Sequence, residues 1–423
     1  MKERLVLVGN GMAGMRTVEE LLAIAPDKFD ITVFGSEPHG NYNRIMLSPV
    51  LAGEKTVDQI MINDLSWYAE RGIRLHAGHA VVDIHRARRE VRAADGTVAS
   101  YDRLLLATGS NPFILPIPGN DLPGVIGFRD IKDVETMLSA ARTGKNAVVI
   151  GGGLLGLEAA NGLMKQGMQV TVVHVLDTLM ERQLDPVAAD MLRANLEERG
   201  LRFLMGAQTA ALLGEERVRA VRFKDGLEIP TDLVVMAVGI RPNFELAKQI
   251  GIYCERGIVV NDTMQTYDPR VYAVGECVQH RGQCYGLVAP LWEQAKVCAN
   301  HLARYGIGRY QGSVTSTKLK VTGIDLFSAG SFNGGPGCEE IVLRDPARGV
   351  YKKLVVKENR VQGAVLYGDT VDGTWYFQLL REGTDIGAFR ETVLFGHAHM
   401  ADSGRDGFSV MAMADDAEIC GCN

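Results

Sequence analysis

Three glycines near the N-terminus have the spacing that lets a protein backbone bind a pyrophosphate. Gly9, Gly11 and Gly14 follow an apolar stretch in the order Gly-x-Gly-x-x-Gly. The first glycine permits a tight turn, the second lets the backbone approach the phosphates, and the third allows a helix to pack closely on a strand. The pyrophosphate then lies against free N–H groups at the positive end of the helix dipole. Glu37 is placed to accept hydrogen bonds from ribose hydroxyls, so we predict a bound dinucleotide.

A second copy of this pattern, Gly-Gly-Gly-Leu-Leu-Gly, occurs at residues 151–156. An acid at the end of the following strand would select the free 2′-hydroxyl of NADH, whereas nearby arginines would favour NADPH. Here that position is His174, which is either an adenosine contact or a solvated residue at the end of the strand. Asp177 and Arg182 follow it and do not decide between the two nucleotides. The sequence therefore predicts a second dinucleotide site and leaves NADH and NADPH open.

Each glycine pattern needs a strand before it and a helix after it, and the sequence supplies both. Apolar strand candidates at Leu5–Val8 and Ile31–Phe34 enclose the first helical segment. Candidates at Ala147–Ile150 and Val170–Val173 enclose a second helix, from Leu154 to about Lys165. Each strand–helix–strand unit is about 30 residues long. We therefore predict an α/β fold with two Rossmann-like dinucleotide-binding domains.

Length and charge limit the classes of protein to which the chain can belong. A chain of 423 residues is too long for one ordinary domain, so two or three are expected. The net charge of -6 and the lack of a basic stripe argue against a nucleic-acid partner. No apolar run approaches the ~20 residues that span a bilayer, and the N-terminus lacks a secretory pattern. We expect a cytoplasmic protein without a membrane partner.

Three further apolar strings connect the two units into one known architecture. Residues 104–109 and 233–239 are apolar strands that end in a small-residue turn, and Val271–Glu276 is an apolar strand that ends in an acid. With these strings the chain resembles the flavoprotein superfamily with two dinucleotide-binding domains, the glutathione reductase-like fold. The resemblance implies that the first unit holds FAD and that an inserted second domain holds NAD(P)H. The last strand of that superfamily usually ends in Gly-Asp, and Gly275-Glu276 is one methylene longer.

The resemblance also implies a domain organisation. We expect an FAD-binding domain at 1–112 and 240–313, with an NAD(P)H-binding domain at 113–239. After about Ser313 the sequence changes to alternating strands without further phosphate-loop glycines, which predicts a C-terminal α+β domain at 314–396. In the superfamily such domains often form homodimers or dock electron acceptors.

The redox cysteines of the disulfide-reducing members of the superfamily are missing. Residues 42–50, where these cysteines would lie, contain no cysteine, so the reduced flavin must pass its electrons to another acceptor. The segment resembles the R-x-x-L-S motif of ferredoxin and rubredoxin reductases, which implies that Arg44 and Ser48 contact FAD. The alternative for Arg44 is a surface arginine. Pro49 stands where those reductases often have a lysine. Five other cysteines occur singly, and we expect most of them to be buried small apolar residues: Cys254, Cys277, Cys284, Cys298 and Cys338.

Longer strings resemble a narrower family, the large subunit of cytoplasmic NAD(P)H-dependent nitrite reductase. They lie at 179–185, 287–290, 317–325 and 363–369, so the likeness covers nearly the whole chain. The resemblance implies that NAD(P)H reduces FAD and that electrons then pass through iron–sulfur centres to sirohaem, where nitrite becomes ammonium. A rubredoxin or ferredoxin reductase with a separate carrier is the alternative enzyme. A nucleotide-sensing module that retains the fold is the non-enzymatic alternative.

The C-terminal residues 397–423 are interpreted as a linker and the start of a truncated [2Fe–2S] domain. In the nitrite reductase family, an Ile-Cys-x-Cys string supplies two thiolates of such a domain, and Cys420 and Cys422 match it. A [2Fe–2S] cluster needs four ligands, so these residues form half of a site. The [2Fe–2S], [4Fe–4S] and sirohaem modules are then expected in a downstream domain or on a partner subunit.

Hydride transfer between two bound cofactors depends on how their rings are positioned, so no residue is required as a catalytic acid or nucleophile. The residues expected to contact FAD or NAD(P)H are Gly9, Gly11, Met12, Ala13, Gly14, Glu37, Arg44, Ser48, Val81, Ala107, Thr108, Gly109, Gly151, Gly153, Leu154, Leu155, Gly156, Glu158, His174, Gly239, Gly275 and Glu276.

Overall fold

The computed structural model describes residues 2–321 and 323–399. The described chain divides into two compact units, the first running to Thr315 with Leu319–Ile324 added, and the second comprising Ser316–Lys318 and the described residues from Asp325 onward. Up to residue 112 the elements are β1 (Glu3–Val8), α1 (Met12–Ile24), β2 (Phe29–Gly35), β3 (Asn41–Tyr42), α2 (Leu47–Leu51), β4 (Met61–Asn63), α3 (Leu65–Glu70), β5 (Arg74–Ala77), β6 (Val81–His85), β7 (Glu90–Ala93), β8 (Val98–Ser100), β9 (Arg103–Leu106) and β10 (Ser110–Pro112).

The next part of the first unit contains, from Asn146 onward, a similar strand–helix–strand order followed later by three short strands. Its members are β11 (Val125–Ile126), α4 (Ile131–Thr143), β12 (Asn146–Ile150), α5 (Leu154–Lys165), β13 (Gln169–Val173), α6 (Pro186–Glu198), β14 (Arg202–Leu204), β15 (Thr209–Gly214), β16 (Val218–Phe223), β17 (Glu228–Pro230) and β18 (Leu233–Met236). The first unit then continues with β19 (Ile240–Pro242), α7 (Glu245–Gln249), β20 (Ile258–Val260), β21 (Val271–Ala273), β22 (Val278–His280) and α8 (Val288–Ala303).

The remaining elements are β23 (Ser316–Val321), β24 (Ile324–Gly330), β25 (Glu339–Asp345), β26 (Val350–Lys357), β27 (Arg360–Tyr367) and α9 (Gly373–Glu382). Short 3₁₀ helices lie at Arg44–Met46, Asp58–Ile60, Gly387–Phe389 and Val393–Phe395.

The two glycine patterns are embedded in two parallel sheets of the same design. The first sheet has the order β21-β9-β1-β2-β5 and the second has the order β11-β18-β12-β13-β14. In both, the strand before the glycines is central and lies between the strand that follows the helix and one from later in the chain. Central strands of a parallel sheet are covered on both faces and are therefore apolar throughout, as Leu5–Val8 and Ala147–Ile150 are. The predicted fold class is confirmed.

The chain passes from the first sheet towards the second through β10 and returns through β19. These two short strands pair antiparallel, with Ser110 opposite Pro242 and Pro112 opposite Ile240. Each parallel sheet is accompanied by a three-stranded antiparallel sheet, β6-β7-β8 in the first case and β15-β16-β17 in the second. The segment that contains the second parallel sheet therefore begins after β10 and ends before β19, and these two strands are paired with each other.

The second unit is built on a different principle. Its strands β24, β27, β26 and β25 form an antiparallel sheet in that order. One face packs with α9 around a separate core that includes Phe327, Leu354 and Tyr376. Lys352 in this sheet is buried and pairs with Asp369 at 2.7 Å, which compensates the cost of burying its charge.

Candidate dinucleotide sites

The two glycine turns have the same backbone geometry. Gly9 and Gly151 have φ angles of 112° and 120°, a region that favours glycine. A Cβ atom on Gly9 would lie 2.1 Å from the carbonyl oxygen of Ala107, and one on Gly151 would lie 2.3 Å from that of Ala237. Each turn is therefore pressed against the end of the neighbouring strand, β9 or β18, and no larger residue fits.

The last glycine of each pattern brings its helix close to the turn. A Cβ atom on Gly14 would lie 2.9 Å from the carbonyl oxygen of Gly9, and one on Gly156 would lie 1.9 Å from that of Gly151. Both positions are in the first turn of a helix, α1 or α5. The close approach of helix and strand that the spacing predicts is thus present in both copies.

The middle glycines, Gly11 and Gly153, border open space. A Cβ atom at either position would have no neighbour within 4 Å among the described residues. Each is the N-cap of its helix, makes no side-chain cap hydrogen bond, and is followed by a first turn without acidic residues. The first N–H groups of a helix have no partner within the helix and attract anions. The residues present therefore fit a dinucleotide pyrophosphate at both places.

Both turns also lie where an open parallel sheet binds ligands. The chain leaves β1 for β2 on one side while β9 flanks β1 on the other, so the strand order reverses between β1 and β9. The same reversal occurs between β12 and β18. Ligands of such sheets bind beyond the carboxyl ends of the strands at this point.

Glu37, just after β2, is held by two groups from the following segment. Its carboxylate accepts hydrogen bonds from the Tyr42 hydroxyl at 2.7 Å and from Arg44 Nη2 at 2.5 Å. Arg44 also donates to the backbone carbonyl of Arg129 at 2.7 Å, and only 26% of its side chain is exposed. Arg44 is therefore half-buried and held by Glu37 and by the backbone of Arg129. A carboxylate has about four acceptor sites, so Glu37 retains capacity for ribose hydroxyls.

Arg129 connects the predicted acids of the first site and was missed by sequence reasoning. Its guanidinium donates to Glu276 Oε2, which also accepts a hydrogen bond from the Ser110 hydroxyl at 2.7 Å. Through its backbone carbonyl it binds Arg44, which in turn binds Glu37. Arg129 lies between β11 and α4 and belongs to no motif, so no local signal indicated it. The side chain of Glu276, one methylene longer than the usual aspartate, is thus held at Oε2 by two donors.

Ser48 and Glu158 meet where the first half of the unit packs against the second. The Ser48 hydroxyl donates to Glu158 Oε2 at 2.6 Å, which joins α2 to α5. Burial raises the pKa of the Glu158 carboxyl from 4.5 to about 7. The helices approach closely, since a Cβ atom on Gly162 would lie 2.6 Å from Leu51 Cγ. Both residues were predicted to contact a cofactor, and the structure brings them together at the junction of the two halves.

We expect Glu158→Gln to remove part of the pH dependence of stability. The folded protein holds the Glu158 proton more tightly than the unfolded chain does. The contribution of Glu158 to the free energy of unfolding is therefore fully present below about pH 4.5 and is lost, by up to about 3 kcal/mol, as the pH rises through 7. Glutamine keeps a partner for Ser48 and cannot ionise, so the variant should gain stability relative to the wild type between pH 5 and 8. Urea denaturation at pH 5 and at pH 8 measures the difference in the free energy of unfolding between the variant and the wild type. The exposed substitution Glu216→Gln is the control. Parallel pH curves for wild type and Glu158→Gln would contradict it.

His174 lies at the end of β13 and points inward. It is 7% exposed, and its Nδ1 accepts the backbone N–H of Gly152 at 3.1 Å. The alternative of a solvated residue at the strand end is therefore wrong. The imidazole also lies close against the turn, since a Cβ atom on Gly152 would lie 2.9 Å from His174 Cγ.

The remaining predicted residues lie on several elements of the first unit. Met12 and Ala13 form the first turn of α1, as Leu154 and Leu155 form that of α5. Thr108 and Gly109 follow β9, where the Thr108 hydroxyl donates to the carbonyl of Asn243, and Gly239 accepts the N–H of Phe113 at 2.9 Å. Val81 begins β6, and the preceding turn is bound to Glu37 through the N–H of Gly78 at 2.9 Å. The N–H of Gly275 donates to Oε1 of Gln294 on α8 at 3.0 Å. Gln294 is fully buried, and the sequence did not indicate it.

The cysteines are less buried than the sequence predicted. Cys277 and Cys298 are buried, whereas Cys254, Cys284 and Cys338 are partly exposed, so the expectation holds for two of five. In the described part of the chain, no group of three or more His, Cys, Asp or Glu side chains is arranged to hold a metal ion. No helix there is long and apolar enough to cross a membrane. Cys420 and Cys422 lie outside the described residues.

Comparison with known proteins finds relatives that match this chain along its whole length. The chain is 51% identical over its full length to nitrite reductase [NAD(P)H] of Bacillus subtilis, of which it covers 52%. It is 44% identical to the assimilatory nitrate reductase electron transfer subunit of the same organism, of which it covers 54%. The chain thus spans about half the length of these curated relatives.

Solved structures with the same fold include electron-transfer reductases. Putidaredoxin reductase, in its covalent complex with putidaredoxin, superposes with a TM-score of 0.81 at 28% identity, over 90% of this chain and 94% of that one. NADH:rubredoxin oxidoreductase from Clostridium acetobutylicum superposes with a TM-score of 0.77 over 95% of this chain and 100% of that one, and at 23% identity it shows the fold alone.

Two family models match consecutive parts of the chain. The model described as the rubredoxin NAD+ reductase C-terminal domain matches residues 316–384. The model described as pyridine nucleotide-disulphide oxidoreductase matches residues 3–301, which include both glycine turns. The chain therefore belongs to the pyridine nucleotide-disulphide oxidoreductase family, and it is an oxidoreductase of the kind that binds FAD and NAD(P)H.

Proposed function

We propose that this chain is the electron-entry part of an NAD(P)H-dependent nitrite reductase. It accepts hydride from NAD(P)H on FAD and passes the electrons to iron–sulfur and sirohaem modules, which reduce nitrite to ammonium. The observation that carries the proposal is the pair of open glycine turns, Gly11 and Gly153, in a chain with full-length similarity to nitrite reductase [NAD(P)H]. That relative is about twice as long as the chain, which leaves room for the later modules.

The proposed roles of the residues follow from their positions. Gly11 and the first turn of α1 would hold the FAD pyrophosphate, and Gly153 and the first turn of α5 that of NAD(P)H. Glu37 would accept the ribose hydroxyls of FAD, and Glu276 would face its ribityl chain. When bound, FAD supplies a two-electron acceptor for hydride that can pass electrons on. The protein supports this by holding the two nucleotides in place, and no side chain is needed as an acid or a nucleophile.

The predicted domain organisation and location form part of the proposal. The pairing of β10 with β19 supports an NAD(P)H-binding domain at 113–239 inserted into an FAD-binding domain at 1–112 and 240–313. The separate core around Tyr376 supports a docking or dimerisation domain at 314–396. We place the enzyme in the cytoplasm, where NAD(P)H is available, and assign the [2Fe–2S] half-site to Cys420 and Cys422.

Supplying the later modules separately tests the division of labour. The FAD-loaded chain with NADH or NADPH should reduce an artificial dye and should form no ammonium from nitrite. Addition of the half of the Bacillus subtilis nitrite reductase that the chain does not span should restore ammonium formation. The amount of NAD(P)H oxidised should then be in stoichiometric proportion to the ammonium formed. Stoichiometric ammonium formed by the chain alone would show that the division is wrong.

A rubredoxin or ferredoxin reductase is the second candidate. It is favoured by the match of residues 316–384 to a rubredoxin NAD+ reductase domain and by the 28% identity to putidaredoxin reductase. Rubredoxin, a [2Fe–2S] ferredoxin and the nitrite reductase half should be compared as acceptors at equal concentration. Faster reduction of rubredoxin or ferredoxin than of the nitrite reductase half would favour this candidate.

A further inference from the structure

The second glycine turn lacks the usual acid for the adenosine ribose, and the side chain in its place is constrained by hydrogen bonding. His174 Nδ1 accepts the N–H of Gly152, so the proton of the neutral imidazole is on Nε2. Nε2 is buried and has no hydrogen-bond partner among the described residues. A buried donor without a partner is costly, so the group that it faces is informative.

That group is the carboxylate of Glu181. Its Oε2 lies 3.5 Å from His174 Nε2, just too far for a good hydrogen bond. The Glu181 side chain is 36% exposed, so it faces the imidazole on one side and solvent on the other. A small movement would let it accept the Nε2 proton with one oxygen while the other oxygen stays free. His174 therefore connects the glycine turn to an accessible carboxylate.

The loop that carries Glu181 is attached to the same turn. The N–H of Met180 donates to the carbonyl oxygen of Gly152 at 3.0 Å, and Met180 itself has a φ angle of 51°. The N–H groups of Gln183 and Leu184 return to the carbonyl of Met180 at 2.7 and 2.8 Å. The residue before Glu181 is thus bonded to the glycine turn, and the loop after Glu181 folds back onto Met180.

The other charged residues of this loop are placed differently. Asp177 Oδ1 lies 3.2 Å from the position of a Cβ atom on Gly206, on the side of β14. Arg182 is exposed, and among the described residues it forms no salt bridge. Arg182 is therefore the cation in this loop that could favour a 2′-phosphate, and Glu181 is the anion that would oppose one.

We propose that Glu181, oriented by His174, is the carboxylate that recognises the adenosine ribose and selects NADH over NADPH. The proposal rests on the nucleotide site proposed above. A carboxylate accepts hydrogen bonds from the free 2′- and 3′-hydroxyls of NADH and repels the 2′-phosphate of NADPH. The acid that usually ends the second strand is replaced by one seven positions later, held against the turn by a histidine.

Flavin reduction by each nucleotide, measured as kcat/KM, tests the role of Glu181. The wild type should prefer NADH at least about tenfold, and Glu181→Arg should reduce the NADH/NADPH ratio by about 100-fold, as expected for reversing a charge beside a phosphate. Glu181→Gln should reduce the ratio less and guards against misfolding of the arginine variant. Glu216→Arg, the same charge change at an exposed position of the same half, should leave the ratio unchanged.

His174→Asn tests the positioning role. Asparagine keeps an acceptor for the N–H of Gly152 and removes the Nε2 donor. We expect a several-fold increase in KM for NADH with unchanged kcat, and no further increase when the change is made in the Glu181→Gln background.

Two results would overturn the proposal while the proposed function stands. One is flavin reduction in Glu181→Arg with a wild-type NADH/NADPH ratio. The other is a wild-type preference for NADPH that Arg182→Ala abolishes. Failure of both nucleotides to reduce the flavin of the wild type is a different outcome, because it would overturn the proposed function and this proposal with it.

Discussion

Gly153→Asp should abolish most NAD(P)H-dependent flavin reduction while the protein stays folded and retains FAD. Gly153 has extended backbone angles that any residue adopts, and a Cβ atom there would meet no described neighbour. Aspartate is a favourable N-cap and would accept the N–H groups that now face open space. The same carboxylate would repel the pyrophosphate, and two unit charges about 4 Å apart near a protein surface cost roughly 4 kcal/mol. We expect kcat/KM for NAD(P)H to fall by about 100-fold or more.

The readouts separate this effect from misfolding. Flavin content and the urea midpoint of Gly153→Asp should equal or exceed those of the wild type, because the new cap stabilises α5. Reduction of the bound flavin by dithionite should also be unchanged. A variant with normal flavin content and normal NAD(P)H kinetics would mean that the pyrophosphate does not bind at this helix end.

Gly11→Asp should have the complementary effect, with loss of FAD. Gly11 also has extended angles, caps α1 and borders open space, so the substitution is tolerated by the backbone for the same reasons. The carboxylate would occupy the N–H groups proposed to bind the FAD pyrophosphate and would repel its charge, by roughly 4 kcal/mol at about 4 Å. We expect protein purified without bound flavin, and at least about a 100-fold weaker dissociation constant for added FAD.

The two variants serve as controls for each other, since they place the same residue at corresponding positions of the two turns. NADH binding by Gly11→Asp, measured by calorimetry, should be closer to the wild type than that of Gly153→Asp. If Gly11→Asp kept its flavin and Gly153→Asp lost it, the order of the two sites along the chain would be the reverse of the one proposed.

The features that could be predicted from sequence are those with local causes. A glycine with a φ angle of 112° or 120° at a strand end, followed by a helix, leaves a pattern within six residues, and both copies were found. The buried parallel strands were equally visible because they are apolar on both faces.

The features that were missed depend on contacts between distant parts of the chain. Arg129 lies 147 positions from Glu276, and the contact between the two predicted residues Ser48 and Glu158 spans 110 positions, so neither pairing leaves a signal in the sequence. His174 is a local case of the same difficulty, because its direction is decided by the N–H of Gly152 and not by its own neighbours in sequence. The burial of Cys254, Cys284 and Cys338 was overestimated because cysteine type alone does not say how far a side chain lies from the surface.

Rapid mixing of the FAD-loaded chain with NADH, without an electron acceptor, tests the central claim most directly. The claim is that the turns at Gly11 and Gly153 bind two nucleotides that exchange hydride. The flavin absorbance of the wild type should bleach fully with one equivalent of NADH per flavin. That of Gly153→Asp should bleach about 100-fold more slowly at subsaturating NADH, where the rate reports nucleotide binding. If neither NADH nor NADPH, each added separately, bleached the flavin of the wild type, that result would contradict the claim.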